Sequence, residues 1–536
     1  MKKSTKRSIA LIIVLVMGLA LLAACGPDTP AQPGPAQPGQ QQPPTGTPPA
    51  AGDPQQPAQV NDTVVVAFPI CPGNLSPFGT NTSLAHFILL NIYDTLFRVV
   101  GTGEVIPQLM ESLDISEDGL EYTFTLRRGI RDTNGNTITA HDVLFSFILM
   151  NESPMRTHTR MVDFDKTEVL DDYTIRVVTT AAGPTILAAL SRVFVISEQS
   201  FNDSPDELIT EPVGTGPYML DEWVQGAFVR LVANENYWGA APDIRVLEFR
   251  VISEPSQRTT ALMTGEVNFI YDYQIPDGQF IQDAGFVTDM RDLNTTFSIF
   301  FNLSNEFVGD INFRRAVAFA LDNEVLTNMV YRGMNTPATT VQSRVNFDYT
   351  EAWEGSRYYA VDIDAARRYL AMTDYDGSTL VFITKAGVNN FDLLAEAVQG
   401  QLREIGISVE IRQYDTPTLT AITVDAPEYW ALQLNDHSTF SNLGVDSIHH
   451  LHVRRNSVHV EGELLARFDE YGTRALFSPC PQERLEYSTR AVWLNQDNLT
   501  THAICYATLR LAYADYISNI NIFSTGKIAW HEIILG

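Results

Sequence analysis

Residues 211–223 read Glu211-Pro-Val-Gly-Thr-Gly-Pro-Tyr-Met-Leu-Asp-Glu-Trp223, and residues 234–239 read Asn234-Glu-Asn-Tyr-Trp-Gly239. Within the first segment, Gly214-Thr-Gly-Pro217 combines two flexible residues with one whose φ is fixed, which predicts a tight turn. In the second segment, large aromatic rings such as Tyr237 and Trp238 are more often packed in a core than placed against a ligand. The first segment therefore predicts a tight turn, and the second predicts an aromatic pair packed in a core.

Outside these two segments, the spacing of apolar residues is typical of strands in some stretches and of helices in others. Apolar and polar residues alternate over 122–126 and over 247–251, as expected for half-buried strands. Apolar residues recur at steps of three and four over 313–325 and 391–405, which predicts two amphipathic helices. Glycines follow both stripes where helices commonly end, at Gly333 and Gly406. Strands and helices interleaved along one chain indicate a mixed α/β fold.

Length and composition exclude several classes of protein. A chain of 536 residues with 45% hydrophobic and 10% aromatic residues can build two or three domains with large cores, so it is not disordered as a whole. Its formal net charge of −28 has the wrong sign for holding nucleic-acid phosphates, so we expect no nucleic-acid partner. Only six lysines occur, and three of them lie in the first six residues.

The amino terminus has the layout of a secretory signal over residues 1–24. A basic leader precedes an uncharged run from Ile9 to Ala24, which as a helix would span about 24 Å, short of the ~30 Å membrane core. Leu22-Ala-Ala-Cys25 resembles the lipobox of bacterial lipoproteins, which implies a lipid on Cys25; the alternative is an ordinary signal with an incidental cysteine. The Pro- and Gln-rich residues after Cys25, up to 60, predict a disordered tether.

Three further cysteines, Cys71, Cys480 and Cys505, leave the disulfide state open. A disulfide is permitted outside the cell, and Cys480 with Cys505 is one possible pair. No CxxC spacing occurs, so neither a zinc knuckle nor a thioredoxin-type dithiol is supported.

The segments at 211–223 and 234–239 resemble those of family 5 of the bacterial extracellular solute-binding proteins, the dipeptide, oligopeptide and nickel receptors of ABC importers. Matching segments occur in one consistent order over roughly residues 62–530. They include 106–107, 118–129, 139–143, 249–253, 261–266, 301–302, 313–316, 320–322, 365–367 and 405–407. The resemblance implies a type II periplasmic-binding-protein-like α/β fold, with two lobes joined by a hinge and one extra domain.

The resemblance also implies domain boundaries and partners. Lobe I is expected to be discontinuous, over 61–90, 207–292 and 505–536, with the extra domain at 91–206 and lobe II at 293–504. A monomeric, lipid-anchored receptor on the outer face of the cell membrane (periplasmic if the cell has two membranes) would capture a solute, with oligopeptide or dipeptide favoured, and pass it to the permease subunits. Receptors of the same fold for nickel or another metal chelate, or for a sugar, are the alternatives. No cofactor is expected.

Candidate ligand residues follow from the same resemblance. Peptide-binding relatives place an aspartate that binds the ligand's α-ammonium in the region that here reads Trp430-Ala-Leu-Gln-Leu-Asn435-Asp436-His437, followed by Asp446. The Gly-Trp and Asp-Pro pieces typical of those relatives are missing. We expect Asp436, rather than a solvated Asp446, to face the cleft and bind a cationic group. Other cleft candidates, chosen by position, are Tyr271, Asp272, Tyr273 and Arg344.

The sequence gives little support for an enzyme. No GxSxG elbow, complete HExxH, dinucleotide loop or P-loop is present, so no catalytic residues are assigned. Five of the ten histidines lie between His437 and His459, and histidines can bind metals. On a strand, His450 and His452 would point away from His449, and Arg454 and Arg455 would disfavour a cation. We therefore assign no metal site, and a metallohydrolase remains the weakest alternative.

Overall fold

The computed structural model describes residues 62–69, 72–79, 83–100, 104–153, 158–205, 210–439, 442–523 and 525–536. They all belong to the unit Val60–Gly536. The predicted signal and tether, with Cys25, lie outside the described residues, and so does Cys71.

Strands and helices alternate along the described chain. The strands are β1 Thr63–Phe68, β2 Phe97–Val100, β3 Glu104–Pro107, β4 Met110–Ile115, β5 Glu121–Leu126, β6 Glu168–Asp171, β7 Thr174–Val178, β8 Tyr218–Val224, β9 Phe228–Ala233, β10 Val246–Val251, β11 Phe269–Tyr271, β12 Val287–Phe301, β13 Thr336–Pro337, β14 Leu380–Lys385, β15 Val409–Tyr414, β16 Leu432–Ser438, β17 Thr501–Tyr513, β18 Ile517–Ser518 and β19 Ile534–Leu535. The helices are α1 Ser83–Ile92, α2 Ala140–Glu152, α3 Pro184–Leu190, α4 Glu198–Asp203, α5 Pro255–Met263, α6 Gly278–Asp283, α7 Ile311–Ala320, α8 Asn323–Tyr331, α9 Ile363–Leu370, α10 Phe391–Glu404, α11 Thr416–Asp425, α12 Gly444–His449, α13 Gly462–Phe477 and α14 Pro481–Asn498. The mixed α/β prediction is confirmed.

One large sheet runs through the described residues in the order β15-β14-β16-β12-β17-β11-β1-β10-β9-β8, with β13 also beside β17. Its two central strands, β12 and β17, are antiparallel and unusually long, at 15 and 13 residues. The first half of β12 pairs with the last half of β17, and the second half of β12 pairs with β16 as well. A register shift between Asp292 and Thr296 interrupts the ladder between these halves. These two strands therefore link the two ends of the sheet.

Separate groups of buried side chains pack around this sheet. One group, from Val64 to Ile533, covers the end containing β1, β8, β9, β10 and β11. Another, from Ile275 to Ala507, covers the end with β14, β15 and β16. A third group lies between Leu96 and Val195, around the four-stranded sheet β4-β5-β7-β6. Each group supplies its own apolar core.

The strand and helix patterns predicted from sequence are present in the structure, with local differences. Tyr122, Phe124 and Leu126 are buried on β5, and the stripe from Phe391 forms α10, which Gly406 follows with φ +93°. The stripe over 313–325 is divided into two helices, α7 and α8, because the chain leaves helical geometry at Leu321 and Asp322 caps the second helix.

The turn predicted at Gly214 and Gly216 has a different basis in the structure. Neither glycine has a positive φ. A Cβ on Gly214 would lie 2.1 Å from the Ile92 carbonyl oxygen, and one on Gly216 would lie 2.6 Å from the Asn91 carbonyl oxygen. The Gly216 amide donates to the Ile92 oxygen at 2.9 Å. Glycine is required here because the end of α1 passes too close for any side chain.

Two further features are not found among the described residues: a disulfide between Cys480 and Cys505, and a membrane-spanning helix. Cys480 is exposed and Cys505 is buried in β17, and both are free thiols, so the possible pair between them is wrong. Of the helices described, none combines the length and apolar character required to cross a bilayer.

Candidate functional site

Two neighbouring cavities flank α12 and the π-helical turn His450–Arg454 that follows it. The larger, which we name the cationic cavity, has a volume of about 250 Å³ and is lined by His158, Arg160, Met161, Thr185, Ala188, Ala189, Arg192, Asp446, His450, Arg454 and Phe477. The smaller, which we name the β16 cavity, has a volume of about 160 Å³ and is lined by Phe300, Thr420, Thr423, Val424, Asn435, Asp436, His437, Ser438, Ser447, His450, Leu451, Arg455 and Ser457. His450 lines both, so the cavities adjoin.

The cationic cavity lies where residues 158–192 meet α12 and α13. Gly183, immediately before α3, has φ +115°, and a Cβ there would lie 2.6 Å from the Leu476 carbonyl oxygen of α13. Thr185 donates its hydroxyl hydrogen to the same oxygen at 2.9 Å. Two parts of the chain nearly 300 residues apart are thus held in direct backbone contact at the wall of the cavity.

Positive charge predominates among the residues that line this cavity. Three guanidinium groups, those of Arg160, Arg192 and Arg454, face one carboxylate, that of Asp446. Asp446 is 7% exposed and forms an ion pair with Arg454 at 3.0 Å. Burial lowers the pKa of Arg192 to about 10, which leaves it charged at neutral pH.

The two histidines of the cationic cavity are neutral at pH 7. Burial, with Arg192 and Lys527 nearby, lowers the pKa of His158 to about 3. Burial and the charge of Arg454 lower the pKa of His450 to about 4. Burial, followed by the charge of Arg192, also lowers the pKa of Lys527 to about 7. The neighbourhood of Arg192 therefore resists further positive charge.

The β16 cavity contains the three consecutive residues predicted from sequence. Asn435 accepts a hydrogen bond from the Asp436 amide at 3.0 Å. The Asp436 carboxylate forms an ion pair with Lys385, at the end of the neighbouring parallel strand β14. His437 is buried between the Ser298 hydroxyl at 3.0 Å and the Ser447 hydroxyl at 2.7 Å, and burial lowers its pKa to about 4. Asp436 thus already has a cationic partner within the protein.

Asp446 is not the solvated surface charge expected from sequence. It lies on α12, its side chain is buried, and it lines the cationic cavity. The expectation of an exposed carboxylate is wrong because Val445 and Ile448 are buried on the same short helix, which draws Asp446 into the protein against Arg454.

The other sequence candidates are not among the residues lining either cavity. Trp430 is 1% exposed and packs with Ile383 and Leu419. Arg344 has a side chain 51% exposed, bonded to Glu354 at 3.2 Å and to Thr339 at 3.0 Å. Trp430 is thus part of an apolar cluster, and Arg344 is part of a surface ion pair.

Tyr271, Asp272 and Tyr273 lie at the end of β11, beside β17. Tyr271 donates its hydroxyl hydrogen to the Gly526 oxygen at 3.3 Å, and Tyr273 is 2% exposed. Asp272 has φ 60° and forms an ion pair with Arg510. These three residues therefore have partners on other elements and do not line the β16 cavity with Asn435, Asp436 and His437.

The histidine-rich region is helical rather than extended. His449 ends α12, and His450 and His452 lie in the π-helical turn, so the expected strand alternation is wrong. Two of the rings have polar neighbours: His452 lies 2.7 Å from the Thr500 hydroxyl, and His459 lies 2.8 Å from the Thr423 carbonyl oxygen. Among the described residues, no group of three or more His, Cys, Asp or Glu side chains is placed to hold a metal ion.

Sequence reasoning missed His158, Arg160, Arg192, Lys385 and Lys527. One signal was available: beyond residue 6 the chain has only three lysines, Lys166, Lys385 and Lys527. Two of these three are largely buried beside the cavities, where a retained lysine is informative in so lysine-poor a chain.

Comparisons with known proteins agree with this architecture. The model for bacterial extracellular solute-binding proteins, family 5 Middle, matches residues 104–441. A Brucella ovis protein named as an ABC transporter peptide-binding protein is 27% identical over 391 residues, 68% of this chain and 72% of the relative. A glutathione-binding protein of Salmonella choleraesuis is 26% identical over 372 residues, 67% of this chain and 71% of the relative.

Solved structures show the same fold. An ABC transporter substrate-binding protein of Listeria monocytogenes has a TM-score of 0.79 at 21% identity, covering 88% of this chain and 99% of its own. A Brucella suis protein solved with Fe(III)-EDTA has a TM-score of 0.80 at 20% identity, covering 88% and 100%. With a family model that matches well over half of its length, this chain belongs to the bacterial extracellular solute-binding proteins, family 5.

Proposed function

We propose that this protein is the substrate-binding lipoprotein of an ABC importer, which captures a solute between two hinged lobes and delivers it to the membrane permease. The observation that carries the proposal is the pair of long strands β12 and β17, through which the described part of the chain passes from one end of the sheet to the other. A two-strand connection with an interrupted ladder suits hinge closure around a ligand.

The proposed lobes follow the boundaries expected from sequence. Lobe I comprises 61–90, 207–292 and 505–536, the extra domain 91–206, and lobe II 293–504. The separate groups of buried side chains support this division, since each packs around its own strands. The register shift after Asp292 supports the lobe I boundary at that point.

The proposed solute is of the peptide class, taken up by a monomeric receptor with the permease subunits as partners. Support comes from relatives named as peptide-binding and glutathione-binding proteins. The absence of recognisable catalytic motifs in the sequence supports a receptor rather than an enzyme.

For attachment, we propose a lipid on Cys25 that holds the protein at the outer face of the cell membrane. The lipobox-like Leu22-Ala-Ala-Cys25 supports it, and two acyl chains anchor stably where one binds marginally. Cys25→Ser is expected to abolish palmitate labelling and release the protein from membranes. Wild-type protein that stays unlabelled and soluble would contradict the anchor.

The receptor itself is tested by native mass spectrometry and small-angle scattering. Protein purified without denaturation is expected to retain a solute and to have a smaller radius of gyration than protein stripped of it, because the ligand favours the closed state. An unchanged radius would contradict hinge closure, and turnover of the solute by the protein would contradict a receptor.

Gly183→Ala tests whether the contact between α3 and α13 belongs to the closed state. The added Cβ would collide with the Leu476 oxygen, so we expect about tenfold weaker binding of the retained solute, or ~1.4 kcal/mol, by calorimetry. Gly129→Ala is the matched control, since Gly129 also has a positive φ, +81°, but has nothing within 4 Å of its Cβ position. Equal affinities of the two variants would show that the contact between α3 and α13 is not part of the closed state.

A further inference from the structure

We propose that the cationic cavity binds carboxylate groups, so that the imported solute is an acidic peptide or a free polycarboxylate of net negative charge. This inference rests on the proposed receptor function and names its substrate class.

The first support is the charge of the lining. Three arginines, Arg160, Arg192 and Arg454, and one carboxylate, Asp446, line the cavity, so the described lining is net positive in a chain whose formal net charge is −28. Guanidinium groups match the planar, bidentate geometry of carboxylates. A positive, partly enclosed cavity in an otherwise acidic protein concentrates anions where the rest of the surface repels them.

The second support is the electrostatic state of the neighbouring groups. His158 stays neutral at pH 7 because it is buried near Arg192 and Lys527. Lys527 titrates near neutrality because it is buried near the same arginine. A bound carboxylate would stabilise the charged form of each of these groups, so binding and positive charge reinforce one another.

The third support concerns the shape and composition of the cavity. Met161, Ala188 and Phe477 add apolar surface to the lining that carries the charged groups. A small number of charged groups on an apolar wall is typical of sites that fix one end of a small solute. Glutamate side chains and short polycarboxylates have this combination of a methylene stem and a charged end.

The fourth support comes from the β16 cavity, where an α-ammonium was expected to bind. Lys385 already neutralises Asp436 there, so the carboxylate does not depend on a cationic ligand. Recognition of a positive charge at Asp436 would require displacing this lysine. Arg455 leaves the β16 cavity with one surplus positive charge, and the cationic cavity has the larger surplus, three arginines with one aspartate, which favours an anion.

The test measures binding by calorimetry to mature full-length protein from which the retained solute has been dialysed. The probes are triglutamate and citrate as the acidic peptide and the free polycarboxylate, trialanine as the peptide of zero net charge, and inorganic phosphate as a different anion. We expect at least one of the two acidic carboxylate probes to bind tenfold or more tightly than trialanine and phosphate, and the better of the two identifies the source.

Two substitutions at the cavity are expected to act in opposite directions on the better probe. Arg192→Gln should weaken binding at least tenfold, because it removes a cation from the wall. Asp446→Asn should tighten binding several-fold, because it removes the carboxylate that competes for Arg454. Arg412→Gln is the control, since Arg412 lies on β15, is 40% exposed and pairs locally with Glu410.

Three outcomes would overturn the proposal: trialanine binding as tightly as the acidic probes, no binding of either acidic probe, or weaker binding after Asp446→Asn. The last would mean that the Asp446–Arg454 pair only holds the wall in shape. The probe comparison uses wild-type protein, so it stands even if a variant fails to fold. If the protein retains a neutral or cationic solute that compacts it, the receptor function is supported and only the proposal of an anionic solute is contradicted.

Discussion

Replacing Arg314 with leucine is expected to lower the free energy of unfolding by about 4 kcal/mol. Arg314 is 4% exposed on α7 and donates to the carbonyl oxygens of Val308 and Gly309 at 2.7 Å and of Asn498 at 3.0 Å. Burial lowers the pKa of Arg314 to about 10, and it remains charged. Leucine would fill part of the space but remove the donor of three carbonyl oxygens, of which that of Val308 is in a buried bond and those of Gly309 and Asn498 are in part-buried ones.

The adjacent Arg315 supplies the control. It is half-buried, and its contacts are side-chain ones, to the Tyr358 hydroxyl at 3.1 Å and to Asn312 at 3.2 Å. Arg315→Gln is expected to cost less than about 1 kcal/mol, as for other partly exposed contacts. Urea unfolding followed by circular dichroism measures both variants. Equal urea midpoints for the two variants would show that the hydrogen bonds from Arg314 to the three carbonyl oxygens add no stability beyond that of the Arg315 contacts.

Acid is expected to destabilise the protein steeply, by about 4 kcal/mol per pH unit near pH 5. Burial lowers the pKa of five histidines, to about 3 or about 4: His158, His437, His450, His452 and His502. Between pH 6.5 and pH 4 the unfolded chain binds protons at these histidines and the native protein does not, so stability is lost as the pH falls.

Two carboxyl groups act in the opposite direction. Burial raises the pKa of Asp94 to about 7 and that of Asp348 to about 6, so near pH 5 the native protein holds two protons that the unfolded chain releases. The net difference is about three protons, which sets the slope given above. Thermal unfolding from pH 7.5 to pH 4.5 measures it, and a flat profile would contradict the buried neutral histidines.

The variant His502→Phe tests how much one of these histidines contributes to the loss of stability in acid. Within the described residues neither ring nitrogen of His502 has a hydrogen-bond partner, and the ring stacks on Tyr359 at 4.7 Å. Phenylalanine keeps the stacking and removes the titration, so the variant is expected to gain stability relative to wild type as the pH falls from 7.5 to 5. A gain that does not grow as the pH falls would show that His502 is not a source of the acid sensitivity.

The elements predicted from sequence are those that depend on neighbours in the chain. Alternation over 122–126 and the stripe over 391–405 predicted β5 and α10 because each pattern is set within a dozen residues. The glycines at 214 and 216 were noticed, but their reason depends on the end of α1, over a hundred residues earlier. Such close approaches leave no local pattern.

The candidate site was predicted less well because it consists of long-range pairs. Asn435, Asp436 and His437 line a cavity as their position suggested, but Lys385 reaches Asp436 only through the pairing of β14 with β16. Arg192 meets the cavity wall that carries Asp446 only because α3 packs on α13. In 444–451, the apolar step of three through Val445, Ile448 and Leu451 was the available sign of a helix.

The interrupted ladder between β12 and β17 has a mechanical consequence for the proposed closure. The strands are bonded in continuous register from Val287 to Asp292 before the interruption, whereas a second register shift, between Phe297 and Ser298, follows it, so the half of the sheet before the interruption is the stiffer one. We therefore expect compliance in the short strip from Asp292 to Ser298, within which the amide group of Asn294 is bonded to Thr439 at 3.1 Å and to Asn442 at 2.6 Å. Bending this strip breaks few backbone bonds, so the elastic energy of opening stays low and a modest binding energy suffices to choose between open and shut.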